Sequence, residues 1–141
     1  MHFSIVTPSF RNSNWLKLCI PSIADQGVSL EHIVQDSCSD DGTQEWLPHD
    51  SRVSAFIEKD GGMYDGVNRG LRRARGDVLA YLNCDEQYFN QHLVSMMNNF
   101  AHAGRCQPNP VFMCLYFFRH ADQHDSSFVK NGSCNQDAGS R

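Results

Sequence analysis

Apolar residues recur along this chain with two alternating periods. Residues 3–6 are a short apolar, β-rich run closed by Thr7-Pro8-Ser9, which predicts a buried strand ending in a loop. Trp15, Leu16, Cys19, Ile20 and Ile23 then fall at helical spacing, with Asn12 or Ser13 suited to cap the helix and Gly27 suited to stop it. Pro21 lies inside that stripe and lacks a backbone donor, so a kink or an early break is expected there. Residues 32–35 predict a second strand running into Asp36. Ser39-Asp40-Asp41-Gly42 is turn chemistry, with Asp40 and Asp41 read as turn or cap carboxylates, and a short helix over 43–47 ends before Pro48. Val53, Ala55 and Ile57 alternate as a third strand, followed by the loop Asp60-Gly61-Gly62. Met63, Val67, Leu71 and Ala74 return at helical spacing, Arg69, Arg72, Arg73 and Arg75 lie largely opposite, and Gly76 ends the helix. Residues 78–82 are continuously apolar, as a central parallel strand covered on both faces requires.

Strand and helix thus alternate four times by residue 82. That order predicts an α/β fold with an open, mainly parallel sheet and flanking helices. Ligands of such sheets bind at the carboxyl ends of the strands. The polar groups expected there are Thr7 and Ser9, Asp36, Glu58 and Asp60, and Asn83 and Asp85. Three of the four strands end in an acidic group, and these tips are expected to converge on one cleft. Past Gln87 the pattern weakens. Leu93, Met96, Met97 and Phe100 predict another helix and residues 111–118 another strand, but from His120 onward the chain is polar without a period. The expected division is a sheet-based unit over 1–103 and an atypical, partly disordered tail over 104–141.

Composition removes several classes. With 141 residues, 40% hydrophobic and 20% charged, the chain suits one ordered domain. Its net charge of -4 and its single basic cluster on one helix argue against nucleic acid. No basic stretch precedes the first apolar run and none is long enough to cross a bilayer, so a cytoplasmic setting is expected. The six cysteines form no CxxC pair and no metal-ligand rhythm, which leaves them as free thiols. His120, His124 and Cys134 read as scattered residues of the tail.

The strand ends suggest a chemistry. Hard cations bind through one or two carboxylates plus phosphate and water oxygens. Asn83-Cys84-Asp85-Glu86 offers Asp85 as such a ligand, with Asn83 or Glu86 in support; acidic residues there also commonly cap the next helix. Asp36 suits a nucleobase imide or ribose hydroxyl, or else a turn, and Thr7-Pro8-Ser9 can present a hydroxyl and backbone groups to a base or simply close the strand. Asp65 falls in the first turn of a helix, where it serves the dipole or a ligand. The glycines at 61, 62, 66 and 70 do not follow the dinucleotide fingerprint, and no Walker-type phosphate loop is present.

Four motifs, in order, carry a resemblance: residues 3–10 around Thr7-Pro8-Ser9, residues 32–43 around Asp36, residues 58–70, and Asn83-Cys84-Asp85-Glu86. Together they resemble family 2 glycosyltransferases; the third is similar to the D-x-G-x-Y-D-A-M-N-K-G stretch of bacterial polysaccharide-type members and the fourth to their N-S-D-D motif. The resemblance implies a GT-A fold, a nucleotide-diphosphate sugar donor, Mg²⁺ or Mn²⁺, and inverting transfer to a saccharide or lipid-linked acceptor, with peripheral membrane association open if the acceptor is lipid-linked. By position it implies that Thr7 and Asp36 contact the nucleoside, that Asp85 holds the metal, and that Pro8, Ser9, Asp65 and Asn83 add donor contacts. Asn83 and Glu86 depart from the commoner all-aspartate form, which rests metal ligation on Asp85. Full members continue into an acceptor region that supplies an Asp or Glu general base. No counterpart is recognisable after Gln87, so the catalytic residue stays unassigned and a truncation or frameshift near residue 88 is expected. A non-catalytic nucleotide-sugar-binding module is the alternative; a nucleotidyltransferase is disfavoured because residues 7–13 hold no glycine and only Arg11.

Overall fold

Every residue of β1 (Phe3–Ser9) is buried, which makes it the centre of the fold. The computed structural model of the protein describes residues 1–102 and 111–114. It pairs β1 in parallel with β2 (Leu30–Asp36) along one edge and β4 (Val78–Tyr81) along the other. Outside β2 lies β3 (Ser54–Ile57) and outside β4 lies β5 (Val111–Cys114), so the order is β3-β2-β1-β4-β5 with every pairing parallel. The expected α/β sheet is therefore present. β1 runs further than the expected residues 3–6. Pro8 falls beyond Val6, where pairing with β4 ends, so its missing N–H leaves the ladder to β2 intact through Ser9 and Asp36.

Helix α1 (Ser13–Ala24) passes through Pro21 without ending there, contrary to the expected break. Proline in a helix interior costs about 3 kcal/mol. Leu16, Cys19, Ile20 and Ile23 are all 0% exposed, and burial of each large apolar side chain contributes about 1.5–3 kcal/mol. The buried stripe outweighs the lost donor. Asn12 stands at the cap position, but its amide donates to Cys84 Sγ at 3.3 Å. The Ser13 N–H goes instead to Asp41 Oδ2 at 2.8 Å, while Asp41 Oδ1 accepts from the Thr43 hydroxyl at 2.6 Å. Asp41 is thus the cap carboxylate; Asp40 instead forms an exposed ion pair with Arg11. The short helix α2 (Thr43–Trp46) gives way to a 3-10 turn over Leu47–His49, so Pro48 continues the coil that it was expected to end.

Alternate residues of β1 face opposite sides of the sheet. On one side Phe3 and Ile5 pack with Cys19 and Ile23 of α1 and with Leu93 and Met96 of α4 (His92–His102). On the other side Val6 and Pro8 meet α3 (Met63–Arg73) at Gly70 and Gly66. Residues 103–110 and 115–141, which hold most of the expected tail and its histidines, lie outside the described residues. Among the described residues no helix is long and apolar enough to cross a membrane.

A methyl group at Gly70 would overlap the Val6 side chain, which is fully buried in β1 and has no room to turn. Gly70→Ala is expected to cost about 1–3 kcal/mol by overpacking, despite alanine's better helix propensity. Urea unfolding checks this; an unchanged or raised stability contradicts the close seating of α3 on β1.

Candidate functional site

The chain steps outward from β1 through β2 to β3, then returns to the other edge of β1 with β4. Connections that diverge in this way open a crevice at the carboxyl ends of the two strands. A cavity of about 580 Å³ occupies it, within the size range of small-molecule sites. Four loops line it. Pro8 and Ser9 end β1 and Phe10 and Asn12 follow it, Ser37 follows β2, Lys59, Asp60, Gly62 and Met63 follow β3, and Asn83, Cys84 and Asp85 follow β4.

Within this lining some polar atoms are committed to the protein and others are left over. Ser9 is 5% exposed, and among the described residues its hydroxyl has no hydrogen-bond partner; the buried Oδ1 of Asn83 has none there either. A buried polar atom without a partner costs about 1–3 kcal/mol. The Asp85 carboxylate is exposed and engaged by no hydrogen bond or ion pair among the described residues. These three groups are available to a ligand. Glu86 is not: it accepts the Asn83 N–H at 3.1 Å, while its own N–H bonds the Asn83 carbonyl at 3.0 Å. Burial, aided by the neighbouring Asp85 charge, holds the Glu86 carboxyl above the usual range. The Cys19 thiol contacts the Asn83 carbonyl at 3.7 Å and ties this turn to α1. Burial pushes Cys19 to about 12 and Cys84 upward, so neither thiol is poised as a nucleophile.

Several expected site residues sit elsewhere. Thr7 is 0% exposed and bonds His32 Nε2 at 2.8 Å inside the core. Asp36 is also 0% exposed; its two oxygens accept from the Ser39 N–H at 2.8 Å and the Ser39 hydroxyl at 2.6 Å. Neither lines the cavity. Asp65 accepts the Gly61 N–H at 2.9 Å and pairs with Arg69 at 2.9 Å, and these two bonds keep its carboxyl below the usual range. It too stays outside. Arg73 pairs with Glu58 at 2.8 Å and lies over Phe56, 4.2 Å from the ring centre, so half of the basic cluster is structural.

Of the three acidic strand ends, two reach the cavity. Asp60 and Asp85 line the cavity; Asp36 does not. Asp60 is the acidic end of the third strand that the sequence displays, in the loop Asp60-Gly61-Gly62. Its N–H meets Ser37 Oγ at 3.3 Å and its Oδ1 accepts the Gly62 N–H at 3.0 Å. Phe10, 51% exposed, adds an aromatic wall that the motif reading missed.

This fold agrees with the comparisons to known proteins. The chain belongs to glycosyl transferase family 2, whose sequence profile matches residues 4–136. The match runs past residue 87, where the recognisable motifs end. Among curated relatives, TuaG of Bacillus subtilis, named as a teichuronic acid biosynthesis glycosyltransferase, is 31% identical over 91 residues, covering 60% of this chain and 36% of that protein. A GalNAc(5)-diNAcBac-PP-undecaprenol beta-1,3-glucosyltransferase of Campylobacter jejuni is 29% identical over 115 residues, covering 73% and 37%. The chain thus spans little more than a third of the length of these relatives. Staphylococcus aureus TarS 1-349 in complex with UDP-GlcNAc superposes with a TM-score of 0.60 at 22% identity, over 73% of this chain and 32% of that one. The shared architecture is the GT-A sheet with flanking helices.

The buried Thr7–His32 pair generates a pH dependence. Burial lowers His32 from 6.5 to about 3, so the folded state holds it neutral. Below 6.5 the unfolded chain takes up a proton that the folded chain refuses. The stability is fully present above 6.5 and is lost as pH falls toward 3, at up to about 1.4 kcal/mol per pH unit. Urea unfolding at pH 7, 6 and 5 should show that slope, flattened in His32→Gln. Equal slopes in the two proteins would contradict the burial of a neutral imidazole.

Proposed function

We propose that this chain forms the donor half of a glycosyltransferase, binding a nucleotide-diphosphate sugar in the cavity for inverting transfer to a saccharide or lipid-linked acceptor. The observation that carries this reading is the delivery of unengaged oxygens of Ser9, Asn83 and Asp85 to one crevice by the ends of β1 and β4. Family membership and the UDP-GlcNAc bound by the structural relative support the donor class. In this reading Pro8, Phe10 and Met63 supply apolar walls for the nucleoside. The Ser9 hydroxyl, the Asn83 Oδ1 and the Asp60 carboxylate meet its polar edges and those of the sugar. Thr7, Asp36 and Asp65 hold the loops from behind.

The donor set at the end of β4 fits a hard cation. Asp85 brings one exposed carboxylate and Asn83 one unpartnered amide oxygen, and Mg²⁺ usually takes one or two protein carboxylates with phosphate and water completing its shell. Asp85, with Asn83, would hold Mg²⁺ or Mn²⁺, which supplies charge neutralisation for a diphosphate leaving group. In the transfer an acceptor hydroxyl oxygen bonds the anomeric carbon from the face opposite the diphosphate. The bond from that carbon to the diphosphate oxygen breaks, its electron pair leaves with the nucleoside diphosphate, and the hydroxyl proton passes to a base. No described residue is assigned as that base. A cytoplasmic setting fits a nucleotide-sugar donor, and membrane association would come only through a lipid-linked acceptor.

Calorimetric titration with UDP, GDP and TDP, with and without Mn²⁺, tests the reading. Metal-dependent binding of at least one is expected, weakened tenfold or more in Asp85→Ala at an unchanged melting temperature, since that side chain makes no hydrogen bond or ion pair among the described residues. Failure of all three to bind in Mn²⁺ would sink the proposal. Binding of the matching sugar nucleotide without turnover points to the non-catalytic module.

A further inference from the structure

Asp60 owes its place at the cavity to a missing methyl group. Gly66 is buried in the first turns of α3, and unlike Gly62, with φ +117°, it does not adopt the left-handed backbone that demands glycine. Alanine is the better residue for a helix interior, so local propensity does not account for Gly66. Space does. A Cβ at Gly66 would lie 3.6 Å from Pro8 Cβ, an ordinary contact, but 2.9 Å from Asp60 Oδ2. The obstacle is the tip of one side chain, not backbone or core. This separates Gly66 from Gly70, whose added methyl would strike the immobile Val6.

Asp60 is held on its other sides as well. Oδ1 accepts the Gly62 N–H at 3.0 Å, and the Asp60 N–H reaches Ser37 Oγ at 3.3 Å. Oδ2, resting against the bare Cα of Gly66, makes no hydrogen bond among the described residues. Turning the carboxylate away from α3 would swing Oδ2 out of its seat and break the Gly62 bond together with it.

We infer that Gly66 is a positioning residue for ligand recognition: its lack of a side chain seats the Asp60 carboxylate in the cavity wall, with Oδ2 free to accept from a hydroxyl or imide N–H of the nucleoside. The inference rests on the reading of the cavity as a nucleotide-sugar site. A methyl at this position displaces the carboxylate and leaves the helix intact, because the only atom that must give way is a rotatable one.

A double-mutant cycle on the whole chain decides it: parent, Gly66→Ala, Asp60→Ala and the double variant, with UDP titrated in Mn²⁺ and melting temperature and Gly62 amide exchange measured without ligand. Gly66→Ala is expected to melt at or above the parent temperature, to expose the Gly62 amide to faster exchange, and to weaken UDP binding fivefold or more. In the Asp60→Ala background the same change is expected to alter binding less than twofold. Equal weakening in both backgrounds, an unchanged Gly62 amide, or a lowered melting temperature overturns the inference. If the parent binds no UDP, the reading of the cavity fails, while the Gly62 amide still decides whether Gly66 seats Asp60.

Discussion

The site depends on the burial of β1 on both faces and along both edges. A strand covered by α1 and α4 on one side and α3 on the other, and flanked by β2 and β4, has no freedom to shift its register. Its last residues, Pro8 and Ser9, emerge where the connections on either side diverge, and the crevice exists because of that divergence. Two other walls of the cavity are tied directly to this strand, the loop after β2 through the bond from the Ser37 N–H to the Ser9 carbonyl and the loop after β4 through the bond from the Leu82 N–H to the Val6 carbonyl, and the loop after β3 is tied to the first of these through the bond from the Asp60 N–H to Ser37 Oγ.

Around that frame the polar residues divide into those that build the loops and those that remain for a ligand. Ser39 engages Asp36, Asp41 caps α1 and bonds Thr43, Arg69 and Gly61 engage Asp65, and Asn83 engages Glu86. These bonds fix the loops, so that Ser9, Asn83 and Asp85 can be left unmatched without the loops collapsing on them. Unmatched groups on a rigid frame are the usual signature of a site preorganised for recognition.

The fold was largely legible in the sequence because β1 and β4 open on short apolar runs, β3 alternates, and α1 and α3 carry apolar stripes with a glycine behind each. Pro21 misled because a local rule about one donor cannot weigh the four fully buried side chains on the same helix. Pro8 shortened the expected β1 because the point at which β4 stops pairing is not written near residue 8. At the site, Asp85 and Asp60 line the cavity while Asp36 bonds Ser39; whether a serine three residues along captures a carboxylate is a matter of rotamer and loop geometry, which residue spacing does not display. The seat that Gly66 provides for Asp60 joins two loops across space, and no spacing in the chain displays it.

The central claim is that the loops after β1, β2, β3 and β4 face one bound nucleotide. Amide chemical-shift mapping during a UDP titration in Mg²⁺ tests it most directly. The account predicts that the largest shifts fall together on Ser9, Phe10, Ser37, Asp60, Asn83 and Asp85, with His2, Ser29, Glu31 and Gly76 at the opposite end of the sheet unmoved. Shifts concentrated at that opposite end, or absent from Asn83 and Asp85, would contradict it.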